Sequence, residues 1–373
     1  MGIYLDNASS TPIHPEVFSA MAPYYLEHFG DTGANNSYGR KAKEAIENSR
    51  ATIATLLKVP ADAIVFTANG TEANTLAITT AIAAQGIDHV ITTPFEHSGV
   101  LNTLSTLQKK HNARISFLKH DRIGRLDLDH LEYLLRTNTR NLISVTHANP
   151  LTGLINPIAQ IAETGKRFGA TVHADTTQTI GTLPLQPEKL NLDFASASAN
   201  KFHGPLGAGF LINRKAKRIN NPLYGNGRHQ ANWGTANVAA IVGLAKALEI
   251  AYWDIDNTSA YIQNLKNRLI AKLQEHVPGV RINGGKLQES LPSILSVSFP
   301  HWGNRPLSDY LEDIDVTVSG GTDYTSQSGA VFKALGIQTE METIRFSFSY
   351  KNTVAEIDEV AASLAALLKN VAA

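Results

Sequence analysis

Short apolar runs alternate with longer helical runs along the first two thirds of the chain. Residues 63–67 predict a strand, and residues 71–84, rich in Ala and Leu, predict the helix that follows. Residues 89–93, 114–118 and 141–146 predict further strands with helices between them, and 170–174, 192–197 and 207–212 continue the series. Such alternation predicts an α/β fold, a mainly parallel seven-stranded sheet with helices on both faces. Ligands on such a sheet bind at the carboxyl ends of the strands.

Beyond these, residues 237–277 form one long helical pattern with a break near Asp254. After Pro278 the texture changes. Residues 294–299 and 343–348 predict strands of a smaller α+β domain, which a helix over 354–371 closes. At 373 residues the chain exceeds a typical single domain. The expected division is a large domain over 15–250, with 1–14 and 251–373 forming the small one.

Composition narrows the function. A hydrophobic fraction of 43% supplies a core, and Lys+Arg equals Asp+Glu at 33 each. That balance offers no basic excess for nucleic acid or an anionic membrane. The N-terminus lacks the basic and apolar regions of a signal peptide, and Asp6 stands where myristoylation after Met1-Gly2 wants Ser or Thr. No apolar run is long enough to span a bilayer. A cytoplasmic enzyme is expected. The cysteine count is zero, which excludes disulfides, thiolate metal sites and thiol nucleophiles within these residues. No His-Glu-x-x-His or other ligand cluster suggests a metal.

Candidate chemistry gathers between His173 and Gly209. Asp175 ends one predicted strand, and Lys201 follows the next, ahead of Gly204, Gly207 and Gly209. A lysine can form an imine with the aldehyde of pyridoxal 5'-phosphate, and a carboxylate can keep the pyridine nitrogen protonated. Asn69-Gly70-Thr71 joins a strand to a helix, so free N–H groups and the Thr71 hydroxyl make an anion site suited to a phosphate. Ser198 offers a second hydroxyl. His97 follows another strand, where an imidazole could stack on a ring and move protons. The glycines after Lys201 lack the Gly-x-Gly-x-x-Gly order of a nicotinamide site.

These motifs together resemble the cysteine desulfurase branch of the class V aminotransferases, fold-type I pyridoxal-phosphate enzymes, along nearly the whole chain. Tyr4 to Pro12, Thr67 to Asn74, Glu96-His97, His173 to Gln178, Ser198 to Gly209, Gly234 to Asn237 and Ile344 to Ser347 match in order. The resemblance implies Lys201 as the imine-forming lysine and proton shuttle, and Asp175 on the pyridine nitrogen. It also implies Gln178 on the phenolate oxygen, His97 stacked on the ring, and Gly70, Thr71 and Ser198 on the phosphate. Thr235 would reach the phosphate of a neighbouring subunit, implying a homodimer. Arg345 would hold the carboxylate of a small amino-acid substrate, a task suited to a guanidinium fork.

The chain departs from the family pattern in several places. Tyr324 stands where the family's loop cysteine falls, Asn200 replaces the histidine before the lysine, and Asn149-Pro150 replaces a pair of asparagines. Proline lacks a side-chain donor, so a cofactor contact there is lost or passes to Asn149. The segment around Gly227-Arg228-His229 is also rewritten. A phenol cannot carry persulfide sulfur. The expected activity is therefore turnover of a small L-amino acid through an external aldimine, as a β-elimination lyase of cysteine or cystine type or as an aminotransferase. The alternatives are a desulfurase-like protein passing sulfur to an external thiol, or an idle binding subunit. Tyr324 is expected at the mouth of the site.

Overall fold

The computed structural model describes residues 2–136, 140–215, 219–221, 225–227, 235–300, 305–320, 327–337 and 341–371. Seven strands make the larger sheet: β1 (Ile64–Thr67), β2 (His89–Thr92), β3 (Arg114–Phe117), β4 (Asn141–Thr146), β5 (Thr171–Asp175), β6 (Phe194–Ser198) and β7 (Gly209–Asn213). Across the sheet they run β1-β7-β6-β5-β4-β2-β3. From β6 to β3 all neighbours are parallel, whereas β7 is antiparallel to both β6 and β1. The reversal has a simple cause. Residues 199–208 are too few for a helical crossover, so the chain can return beside β6 only in the opposite direction.

Helices cover both faces. On one face, α2 (Gly70–Gln85) and α3 (Ser98–His111) bury Leu76, Ile78, Val100 and Leu104 against Val90, Leu142, Phe194 and Leu211. On the other, α1 (Ser37–Leu57) and α4 (Val238–Trp253) contribute Ile53, Leu57 and Leu244 to a cluster with Phe66, Val145, Val172 and Phe210. Burying both faces explains why β5, β6 and β7 carry no exposed position. The long helical pattern breaks at Asp254, a single non-helical residue between α4 and α5 (Ile255–His276).

A second sheet is antiparallel, with Ile294–Pro300 and Met341–Ser347 at its centre and Arg281–Ile282 and Ser319–Gly320 at its edges. Leu265, Leu269 and Leu273 of α5 and Ile357, Val360 and Leu364 of α6 (Val354–Val371) pack on Val297, Phe299 and Phe346. The first residues of the chain belong with this sheet. Ile3–Tyr4 pairs with Val316–Thr317, and Asp6 bridges to Ser347. The chain then crosses to the larger sheet, where Thr11 N–H donates to Asn200 O at 2.8 Å. That crossing brings residues 6–11 beside Lys201. Among the described residues no helix is long and apolar enough to cross a membrane.

Candidate active site

One cleft lies at the carboxyl ends of the central parallel strands. Gly70, Thr71, Asn74, His97, Thr146, Pro150, Asp175, Thr177, Gln178, Ser198, Asn200 and Lys201 are among its walls. Seven positions singled out by sequence therefore meet here: Gly70, Thr71, His97, Asp175, Gln178, Ser198 and Lys201. They come from segments far apart along the chain, and the parallel strand ends gather them.

The start of α2 forms one wall. Asn69 caps the helix by accepting Glu72 N–H at 2.9 Å, and Glu72 Oε2 accepts Ala68 N–H at 2.6 Å. The N–H groups of Gly70 and Thr71 come before any intrahelical carbonyl can pair them, and both residues edge the cleft. Gly70 has a steric reason as well. A Cβ there would stand 2.4 Å from Thr177 Cγ2. This wall is a ready anion cradle, with the helix dipole favouring negative charge.

Asp175, at the end of β5, is buried and bonded through both oxygens. Oδ1 accepts Thr177 N–H at 3.0 Å, Thr177 Oγ1 at 2.7 Å and Ser196 Oγ at 3.3 Å, while Oδ2 accepts Asn74 Nδ2 at 2.7 Å. Behind Asn74 stands buried His173, its Nε2 3.0 Å from Asn74 Oδ1 and its Nδ1 2.9 Å from Ser144 Oγ. Burial holds His173 well below its ordinary value, with Asp175 opposing, so the ring is neutral. A neutral ring has one N–H. Because Asn74 Oδ1 only accepts, the proton sits on Nε2, and Nδ1 accepts the Ser144 hydroxyl. The relay fixes the amide so that Asn74 donates to Asp175. Asn74 and His173 were legible only as neighbours within motifs, and nothing in the spacing marked this pair.

His97 caps α3, its Nδ1 accepting Gly99 N–H at 3.1 Å. The turn before it rests on buried Glu96, whose Oε1 accepts Thr93 Oγ1 at 2.7 Å and Thr146 N–H at 2.9 Å. Burial pushes this carboxyl up to about 8. Glu96 thereby ties the His97 turn to the end of β4. The residue was visible in the sequence, but only packing gives it this role.

Lys201 follows β6 on the short turn Ala199–Lys201. Its Nζ donates to Ala8 O at 2.8 Å and Ser9 O at 2.7 Å. Burial, and then the charge of Arg345, lower it to about 8, against the opposing pull of Asp6 and Asp175. Gln178 Nε2 also donates to Ala8 O, at 3.2 Å. Ser198 Oγ donates to Asn200 Oδ1 at 2.8 Å.

Three expected residues stand outside the cleft wall. Asn149 is buried with Oδ1 taken by the N–H groups of Leu151 and Thr152, at 2.8 and 3.0 Å, and Pro150 faces the cleft instead. Arg345 lies behind the wall, where its Nη1 donates to Pro150 O at 3.0 Å and its Nη2 pairs with Asp6 at 2.8 Å. Thr235 is exposed just ahead of α4. Tyr324, Gly234, Arg228 and His229 lie outside the described residues.

The sequence profile of the class-V aminotransferases matches residues 3–360. The chain belongs to the class-V aminotransferase family. It is 34% identical over 366 residues to cysteine desulfurase IscS of Dictyoglomus turgidum, covering 95% of this chain and 92% of that one. A solved NifS-like protein superposes with a TM-score of 0.90 at 31% identity, covering 99% of this chain and all of the other. The structure of SspA in complex with cysteine superposes at 0.79 with 26% identity, covering 94% of this chain and all of that one. Class-V aminotransferases and their cysteine desulfurase members use pyridoxal 5'-phosphate, and this chain is a desulfurase-like enzyme of that kind. The cleft suits the cofactor on its own chemistry: a helix-start anion cradle, a buried carboxylate fully bonded in place, and an amine of lowered proton affinity.

Proposed function

We propose that the protein acts on a small L-amino acid as a β-eliminating lyase of cysteine or cystine type. The observation that carries this reading is the cleft that gathers Gly70, Thr71, His97, Asp175, Gln178, Ser198 and Lys201 in a chain with no cysteine. When bound, the cofactor supplies an aldehyde that condenses with amines and a ring that draws electrons from the substrate's α-carbon. Gly70, Thr71 and Ser198 would hold its phosphate, Asp175 its ring nitrogen and Gln178 its phenolate oxygen, with His97 against the ring. Lys201 would take the substrate's α-proton, its amine being largely unprotonated above pH about 8. Arg345 would receive the carboxylate. Transamination asks the same residues for a different proton placement and remains within the proposal.

A second reading has its own support. The likeness to cysteine desulfurases over more than nine tenths of the chain favours removal of cysteine sulfur by a thiol outside these residues. Products separate the two. With L-cysteine and no added thiol, pyruvate, ammonia and sulfide are expected in equal amounts. Alanine formed only with an added thiol or partner protein would establish the second reading instead. Alanine with sulfur retained on this polypeptide would overturn both. Keto-acid formation from other amino acids, with no product from cysteine, would mark an aminotransferase.

We also propose that 15–250 form the cofactor-binding domain, with 1–14 and 251–373 the small one, and that two copies associate. Phe18, Tyr25, Leu26, Phe29 and Tyr38 are all exposed near the start of the chain, and the rings of Phe29 and Tyr38 lie 5.3 Å apart. So much exposed apolar side chain within a short segment supports a partner surface. Sedimentation at single-chain mass would refute the dimer.

A further inference from the structure

The turn that carries Ser9 touches both halves of the proposed chemistry. Ser9 N–H and Ser10 N–H donate to Asp6 O at 3.1 and 3.4 Å, closing residues 6–10 into a tight loop. On one side, the Ser9 hydroxyl donates to Asp6 Oδ1 at 3.0 Å and accepts Arg345 Nη2 at 2.6 Å. On the other, Ser9 O accepts Lys201 Nζ at 2.7 Å and Asn200 Nδ2 at 3.2 Å. One residue thus joins the guanidinium to the amine.

The guanidinium end is crowded and changeable. Nη2 carries two hydrogens, yet three acceptors approach it: Asp6 Oδ1 at 2.8 Å, Ser9 Oγ at 2.6 Å and Ser319 Oγ at 2.9 Å. Meanwhile Arg345 Nε is buried without a partner. A ligand carboxylate with two oxygens could satisfy that donor and would compete with the Ser9 hydroxyl for Nη2. Ser9 itself is exposed, so its hydroxyl can leave without being stranded in the core.

We propose that Ser9 is a positioning residue that couples carboxylate binding at Arg345 to the hold on Lys201. A carboxylate that displaces the Ser9 hydroxyl loosens the turn, and with it the carbonyls of Ala8 and Ser9 that hold the Lys201 nitrogen. Recognition of the substrate's carboxylate thereby frees the group that must handle its α-proton. The inference rests on the roles proposed above for Lys201 and Arg345. The charges that act on Lys201 are Arg345, Asp6 and Asp175, and two of these sit on the turn's own contacts.

The test uses the full-length holoenzyme and propionate, a carboxylate with no amine. The pH midpoint of the bound cofactor's visible band reports the proton affinity of the Lys201 nitrogen once it is joined to the cofactor. In the wild type, propionate should shift this midpoint by several tenths of a pH unit. Ser9→Thr, which keeps the hydroxyl, should retain the shift, and Ser9→Ala should lose most of it. What survives in Ser9→Ala measures the direct field of the bound anion. A merely structural serine would change cofactor content or melting temperature and leave the propionate shift intact, which overturns the coupling. Failure of the underlying roles looks different. Borohydride would then fix no cofactor at Lys201, or Arg345→Ala would shift as the wild type does. Either result also overturns the proposal.

Discussion

Lys201→Ala is expected to abolish turnover on every amino acid, by at least about ten-thousandfold, the upper range for losing a positioned proton-transfer group. The expectation follows from the cleft. Among the described residues of its walls Lys201 is the one lysine or arginine, and the carbonyls of Ala8 and Ser9 aim its amine. The wild-type protein should be yellow, and borohydride should fix the cofactor to the peptide containing Lys201. The variant should lose the borohydride-fixed peptide, yet retain part of its cofactor affinity through the cradle at Gly70, Thr71 and Ser198. A wild type that stays colourless with added pyridoxal phosphate would sink the functional reading. The pH dependence is fixed in sign. Burial and Arg345 lower the amine to about 8, so it gives up its proton and becomes nucleophilic at a lower pH than an ordinary lysine. Reconstitution of cofactor-free protein should therefore speed up as pH rises through about 8 and then level off. A rise continuing into the ordinary lysine range near 10 would show that the amine is not held as the structure has it.

Asp175→Asn should lower turnover by on the order of a hundredfold or more, the scale of losing one preorganised electrostatic contact. Cofactor affinity should fall far less, because the phosphate cradle is untouched. The carboxylate is held by Asn74, Thr177 and Ser196, so an amide of the same shape keeps the packing while removing the charge. It also disrupts the relay. Asn74 donates to Asp175 Oδ2, and an amide rotated to present its own N–H₂ there would meet another donor. Turnover near the wild-type level would make Asp175 a structural residue only. Asn74→Ala serves as a companion, since it removes the donor without removing the charge and should fall between the two.

Much of the larger sheet was legible because period and composition act locally. Residues 141–146 and 354–371 predict the observed strand and helix to the residue, and the other predicted strands agree within two residues at either end. The direction of β7 was not legible. Its sequence reads as one more buried strand, and only the shortness of the connection from Lys201 turns it antiparallel. The site divides in the same way. Gly70, Thr71, His97, Asp175, Gln178, Ser198 and Lys201 sit at strand ends and helix starts, where local geometry announces a role. Asn149 carried the same motif signal, and its Oδ1 is taken up by the turn at Leu151 and Thr152.

The amino-acid sequence by itself determined the order of elements, the aspartate and lysine at their strand ends, and the absence of any thiol. Each of these depends on residues near one another or on composition alone. Tertiary structure decided the rest, because the remaining contacts join residues that no local pattern relates. Asp6 meets Arg345 across 339 positions, Asn74 meets Asp175 across 101, and the Ser9 carbonyl meets Lys201 across 192. Burial, too, is a property of the assembled fold. It holds His173 neutral, raises Glu96 and lowers Lys201, since removing water penalises whichever form of each group carries charge.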